Sequence, residues 1–111
     1  MHLVPEKESI LKGLNSFKAI AKQDLLVAAT INNPEFWQRH AESRRLVYKE
    51  LIAQVEEEGV DSACAHALNE CRRAIQQREE TADSKGKQEA LENFLALCGF
   101  EERTIRASQS E

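Results

Sequence analysis

The amino-acid sequence predicts an all-α protein, an antiparallel bundle of three long helices with a short fourth C-terminal helix. Apolar side chains recur every three or four positions through most of the 111 residues, as they do on the buried face of a helix. Glycine and proline are scarce, with four and two copies, and both prolines stand where a helix can begin. Because no segment has the composition and alternation of a β-strand, the sequence favours packed helices over a sheet.

Two long helical patterns, residues 34–58 and 61–80, meet at Gly59, and the rest of the chain is organised around this junction. Gly59 suits the left-handed conformation in which many helices end. Val60 is expected to fold back on the last turn, and Asp61 is expected to cap the following helix. A link this short predicts that the two helices are antiparallel neighbours.

The first helix is expected to begin at Pro5 and to bury one face against the rest of the bundle. Leu26, Val27 and Ala29 widen this face near the end of the helix, which predicts contact with more than one neighbour. Gly13 indicates a close crossing by another helix. The apolar positions that define the face are Ile10, Leu11, Leu14, Phe17, Ala21, Leu25 and Ala28.

A break at residues 31–35 separates the first helix from the second. Asn32 is expected in the left-handed conformation, Asn33 as a cap, and Pro34 as the first helical residue. The third helix is rich in small apolar residues, which predicts a close approach to its neighbours. The apolar face of the second helix comprises Trp37, Ala41, Tyr48, Leu51, Ile52 and Val55, and that of the third comprises Val60, Ala63, Cys64, Ala67, Leu68, Cys71, Ala74 and Ile75.

Residues 76–88 carry no large apolar side chain. They are expected to form a solvated helix end followed by a flexible turn at Ser84–Gly86, the one plausible hinge; a frayed linker is the alternative. The short last helix presents Leu91, Phe94, Leu95 and Cys98, and it is expected to end at Gly99, with Phe100 folded back on it. A single domain is expected over residues 1–107, followed by a disordered tail at 108–111.

Length, charge and cysteine content restrict the class of protein. The chain fits one domain, and its hydrophobic content of 41% suffices for a core. A net charge of −4 without any basic segment disfavours nucleic-acid and acidic-membrane partners. The longest uncharged stretch, residues 25–34, is too short to span a bilayer. Three cysteines without paired spacing and no secretory signal at the start predict a cytoplasmic protein with free thiols.

The sequence contains no pattern that predicts catalysis, a metal or a cofactor. Cys64, Cys71 and Cys98 lack the close pairing of a zinc site, so they are interpreted as small buried hydrophobic residues. The two Glu-x-x-His motifs of a di-iron bundle are absent, as are a glycine-rich phosphate loop and the G-x-S-x-G and H-E-x-x-H motifs. A non-catalytic protein without a cofactor is therefore predicted.

One group of side chains interrupts the apolar face of the second helix. His40 and Arg44 lie on the same stripe as Trp37 and Tyr48. In a purely structural interpretation, Arg44 extends its guanidinium to the edge of the core and His40 makes a local hydrogen bond. The sharper hypothesis is a polar pocket formed by all four residues, which would bind a carboxylate or an acidic residue of a partner. A stacked pair of Trp37 with an arginine is a third possibility.

These observations predict a small protein-interaction module, an adaptor, regulator or secretion-type chaperone, that presents amphipathic helices to a protein partner. The partner is expected to be another protein or a second copy of the chain, with a homodimer favoured, because three wide apolar faces exceed what a short fourth helix can cover. The alternative function is a helical bundle that binds a small anionic ligand in a pocket around Trp37, His40, Arg44 and Tyr48.

Overall fold

A computed structural model of the chain describes residues 6–77 and 80–100, which form four α-helices and one short 3₁₀ turn. The all-α prediction is confirmed, because these residues contain no strand. Pro5, the expected first residue of the bundle, and the tail at 108–111 lie outside the described residues. The elements are α1 (Lys7–Val27), the 3₁₀ turn (Ala28–Thr30), α2 (Pro34–Glu58), α3 (Val60–Gln77) and α4 (Ala82–Leu97).

The connection between α1 and α2 differs in one detail from the sequence prediction. Asn33, rather than Asn32, takes the left-handed conformation, with φ 58° and ψ 54°, and its side chain makes no capping hydrogen bond. Pro34 follows as the first helical residue and needs no partner there, because it has no N–H. The carbonyl of Asn33 accepts a hydrogen bond of 3.3 Å from the N–H of Trp37, which starts the helical ladder.

The junction at Gly59 is tighter than the sequence prediction. Gly59 has φ 97° and ψ 167°, an extended conformation at positive φ that is open essentially only to glycine, rather than the left-handed helical one. Its N–H donates to the carbonyl of Val55 at 3.0 Å, and its carbonyl accepts from the N–H of Ala63 at 3.2 Å. One residue therefore ends α2 and begins α3. Asp61 lies inside the first turn of α3 and is not the cap.

The predicted flexible turn at Ser84–Gly86 is wrong, because these residues belong to the first turns of α4. Thr81 caps the helix, its hydroxyl oxygen accepting a hydrogen bond of 3.1 Å from the N–H of Ser84. Gly86 is buried against α2, and a β-carbon at this position would lie 2.5 Å from the carbonyl oxygen of His40. The absence of a side chain thus permits a close helix crossing rather than a hinge.

Helix α2 is central and contacts each of the other helices. Helix α1 runs antiparallel to it, since Lys7 Nζ at the start of α1 donates to the carbonyl of Glu56 near the end of α2. Helix α4 runs parallel to α2, because Gly86 packs at His40 and Asn93 bonds to Tyr48 further along both helices. With dimensions of 47 × 33 × 21 Å, the molecule is about two helix diameters thick.

The core contains most of the apolar positions expected from the sequence, but Trp37, expected on the buried face of α2, is 42% exposed. Among the described residues no helix is long and apolar enough to cross a membrane. Gly99 ends α4 at φ 100°, and Phe100 packs against the core as expected. The largest fully buried side chains are Tyr48, Phe94, Ile10, Leu14, Leu51, Leu91, Leu95, Val55 and Cys71.

Candidate functional site

The candidate site is a pocket at the corner where α1 passes through the 3₁₀ turn into α2, with one wall supplied by α4. Its volume is about 240 Å³. The tight turn through Asn33 brings the end of α1 against the first turns of α2. Asp24 of α1 and His40 of α2 therefore line the same pocket, although they are far apart in the sequence. The lining residues are Asp24, Val27, Ala28, Ile31, Trp37, His40, Arg44 and Glu89.

Three of the four side chains expected to form a pocket line this one, namely Trp37, His40 and Arg44. Tyr48 does not line it. The Tyr48 ring stacks on Phe17 with 5.4 Å between centroids, and its hydroxyl oxygen accepts a hydrogen bond of 3.0 Å from Asn93. Burial raises the pKa of Tyr48 above its ordinary value, so its hydroxyl stays protonated as part of the core.

The guanidinium of Arg44 is buried and already paired with two carboxylates. Its Nη2 lies 2.5 Å from Asp24 Oδ2, and its Nη1 lies 3.6 Å from Glu89 Oε2. Arg44 Nε is buried and has no hydrogen-bond partner among the described residues. Both carboxylates are about half-exposed, so the pairing fixes the buried cation while leaving acidic oxygen atoms at the pocket mouth.

His40 is held between aromatic rings and an acid. Its ring centroid lies 5.3 Å from that of Trp37 and 6.2 Å from that of Phe36, and its Nε2 lies 3.6 Å from Glu89 Oε1. Burial lowers the pKa of His40, and this effect outweighs the opposite influence of Glu89; the nearby cation of Arg44 lowers it further. The imidazole is therefore neutral at pH 7, with one nitrogen able to donate and the other able to accept.

Counting these charges gives the pocket a net negative character. Asp24 and Glu89 are two carboxylates, Arg44 is one cation, and His40 is neutral. Sequence reasoning missed Asp24 and Glu89, because they come from α1 and α4 and no local spacing connects them with α2. A pocket of this composition suits a basic group better than an anion.

Large apolar side chains remain open to solvent around the charged pocket. We call Leu26, Val27, Ile31 and Trp37 the apolar corner; their exposed fractions are 69%, 55%, 46% and 42%. Leu26 and Val27 are the residues that widen the apolar face of α1 in the sequence. The wide end of this face is thus uncovered by the described residues, and Trp37, the single tryptophan, lies at its edge.

Other depressions lie elsewhere on the surface. One of about 570 Å³ runs beside α2, but none of the side chains that line it is a buried ionisable group. Another of about 390 Å³ lies near the start of α4, where Lys87 and Arg73 both pair with Glu70. No three His, Cys, Asp or Glu side chains in residues 6–77 and 80–100 are grouped as metal ligands would be.

Comparison with known proteins yields no relative for this chain: no family model, no curated protein and no solved structure matches it.

Proposed function

We propose that this protein is a small, non-catalytic interaction module that binds an amphipathic helix of a partner protein at the apolar corner. Adaptors, regulators and secretion-type chaperones belong to this class. Cysteines that form no disulfide suit a reducing compartment, and we place the module in the cytoplasm. The observation that carries the proposal is a group of large apolar side chains left open beside a charged pocket.

The apolar corner supports a protein partner because contiguous exposed apolar surface marks interaction sites in small proteins. Val27, Ile31 and Trp37 all line one pocket, so their exposed surfaces are adjacent. A partner helix would place apolar side chains at successive turns against such a surface. Tryptophan is one of the residue types that most often supply a large part of the binding energy of an interface.

The charges beside the apolar corner select the chemistry of the partner. Asp24 and Glu89 present half-exposed carboxylates, and buried Arg44 satisfies only part of their hydrogen-bonding capacity. A lysine or arginine of the partner would lay its aliphatic stem on Trp37 and direct its charged end to these carboxylates. The preferred ligand is thus an apolar helix face that carries one basic residue.

Two competing occupants fit these charges less well. A second copy placed symmetrically on the apolar corner would bring the carboxylates of Asp24 and Glu89 near their own counterparts, and like charges repel. A small anionic ligand would have to replace Asp24, whose carboxylate already bonds to Arg44. We therefore rank the basic amphipathic helix first.

Fluorescence of Trp37 provides a direct test, because it is the only tryptophan in the chain. Two synthetic amphipathic helical peptides without tryptophan, identical except for lysine or glutamate at the centre of the apolar face, would be titrated into the full chain. We expect the lysine peptide to shift the emission of Trp37 and to bind at least about tenfold more tightly, which corresponds to about 1.4 kcal/mol.

A charge-matched control separates local from general electrostatics. Asp24→Asn combined with Glu89→Gln should abolish the preference for lysine, whereas Glu56→Gln combined with Glu57→Gln, at the exposed far end of α2, should preserve it. Equal affinity for both peptides, or binding of neither, would contradict the proposal. A dimer in sedimentation that Leu26→Asp converts to a monomer would replace the partner helix with a second copy.

A further inference from the structure

Two cysteines lie together at the opposite end of the bundle from the apolar corner. Because α3 and α4 are antiparallel, Cys64 in the second turn of α3 meets Cys98 at the end of α4. Both side chains line one pocket of about 300 Å³, together with Val60, Asp61, Ala65, Leu68 and Phe100. Both are partly exposed, whereas Cys71, one face-repeat further along α3, is fully buried.

The end of α4 holds Cys98 in a defined place. Gly99 at positive φ lets its N–H donate to the carbonyl of Ala96 at 3.0 Å, while the N–H of Phe100 donates to the carbonyl of Leu95 at 2.9 Å. This double hydrogen bond is the Schellman motif, which closes a helix and directs the following apolar residue back onto it. Cys98 is the capping residue of this rigid turn, so its thiol is positioned by backbone geometry.

The two thiols differ in acidity because one donates a hydrogen bond to the other. This bond from Cys98 lowers the pKa of Cys64, against the opposing effects of burial and of Asp61. The same bond and burial raise the pKa of Cys98 far above its ordinary value. Cys64 is thus the nucleophilic member of the pair.

We propose that Cys64 and Cys98 form a redox-active dithiol, a modification site that a peroxide converts to an intramolecular disulfide. The Cys64 thiolate attacks one oxygen of the peroxide, the O–O bond breaks, and Cys64 becomes a sulfenic acid as hydroxide leaves. The sulfur of Cys98 then attacks the Cys64 sulfur, and the sulfenic oxygen leaves as water with the proton of Cys98. Two thiols and one hydrogen peroxide thereby yield one disulfide and two waters, and a thiol reductant reverses the change.

Mass spectrometry of the full chain treated with hydrogen peroxide tests this assignment. We expect the wild-type chain to lose the mass of two hydrogen atoms and to regain it with a thiol reductant. Cleavage after glutamate separates the three cysteines, because Glu70 lies between Cys64 and Cys71, and the linked peptides should contain Cys64 and Cys98. The cross-linked chain should also melt at a higher temperature, since the disulfide restricts the unfolded state.

Three variants assign the roles. In Cys98→Ser, a sulfenic acid at Cys64 should persist and react with dimedone, whereas in Cys64→Ser the labelling of Cys98 should be at least about tenfold slower. Cys71→Ala should form the disulfide as the wild type does. Over-oxidation of Cys64 without a disulfide, a linkage that includes Cys71, or equal labelling of the two single variants would overturn the proposal. None of these outcomes depends on what the apolar corner binds.

Discussion

The side chains around Arg44 show how one buried cation organises a site at the scale of single residues. Its guanidinium pairs with Asp24 from α1 and with Glu89 from α4, so it joins three helices at one point. Such a pair contributes little if exposed, but a buried arginine would be costly without partners. The same arrangement places His40 beside the carboxylate of Glu89, which raises its pKa, and the guanidinium of Arg44, which lowers it.

The pKa of His40 provides the first residue-scale prediction. Because burial lowers this pKa below the ordinary value of 6.5, the unfolded chain binds a proton at a higher pH than the folded chain does. The contribution of neutral His40 to stability is therefore complete above that value and is lost as the pH falls below it. We expect the urea midpoint of the wild type to decrease between about pH 7 and about pH 5.5, and that of His40→Gln to decrease less.

The carboxylates titrate in a separate and more acidic window. Hydrogen bonds from Arg45 and Lys87 lower the pKa values of Glu42 and Glu70 from 4.5, so their contributions to stability are lost only below that value.

Imidazole NMR signals give a direct check on the pKa of His40, which should fall further in Glu89→Gln and rise in Arg44→Met. A pKa above 6.5 in the wild type, or no response to Glu89→Gln, would contradict this assignment.

At the scale of helices, two glycines set the distances at which α4 packs. Gly86 touches the backbone of α2, where an added β-carbon would lie 2.5 Å from the carbonyl oxygen of His40 and 3.1 Å from Ser43 Cβ. Gly13 of α1 instead faces the methyl groups of Leu97, at 2.7 and 2.8 Å from an added β-carbon. A backbone carbonyl cannot move without shifting its helix, whereas a leucine side chain can rotate.

This difference predicts unequal costs for the same substitution. Gly86→Ala should lower the free energy of unfolding by about 1–3 kcal/mol, because over-packing outweighs the better helix propensity of alanine. Gly13→Ala should be less costly, since the side chain of Leu97 can adjust. Urea unfolding monitored by circular dichroism measures both values. Equal costs for the two variants, or a Gly86→Ala protein as stable as the wild type, would show that α2 and α4 do not pack closely at Gly86.

At the scale of the whole molecule, the four helices leave part of the C-terminal end of α1 exposed among the residues that the structure describes. Leu26 and Val27 belong to the helix but not to the core, whereas Leu14 on the same helix is fully buried. The fold therefore does not depend on the apolar corner for its stability. Its side chains remain available to contact a partner.

Stability measurements can separate the apolar corner from the core. Leu26→Ser combined with Ile31→Ser should cost no more than about 1 kcal/mol of unfolding free energy, because Leu26 is mostly exposed to water and Ile31 is about half exposed. Leu14→Ala should cost about 2–5 kcal/mol, because it opens a cavity in the packed interior. If the double variant were destabilised as strongly as Leu14→Ala, the apolar corner would be part of the core.

The sequence identified the helices and most of the core because burial follows helical periodicity. Ile10, Leu14 and Ala21 of α1, predicted from spacing, are all fully buried. The sequence-based prediction was wrong at Ser84–Gly86, because a polar segment with a glycine resembles a flexible turn. Only the contact with the backbone of α2 reveals that this glycine belongs to a helix crossing.

The candidate site, too, could be predicted only in part from the sequence. The spacing of Trp37, His40 and Arg44 places them on one face of α2, so the sequence alone determined that they are neighbours. The tertiary structure decided the charge of their surroundings, because Asp24 and Glu89 arrive from other helices. It also decided that Cys64 meets Cys98. Helical periodicity is a local property that can be read directly from the spacing of residues. Contacts between helices depend on where the helices cross, and local spacing does not determine this.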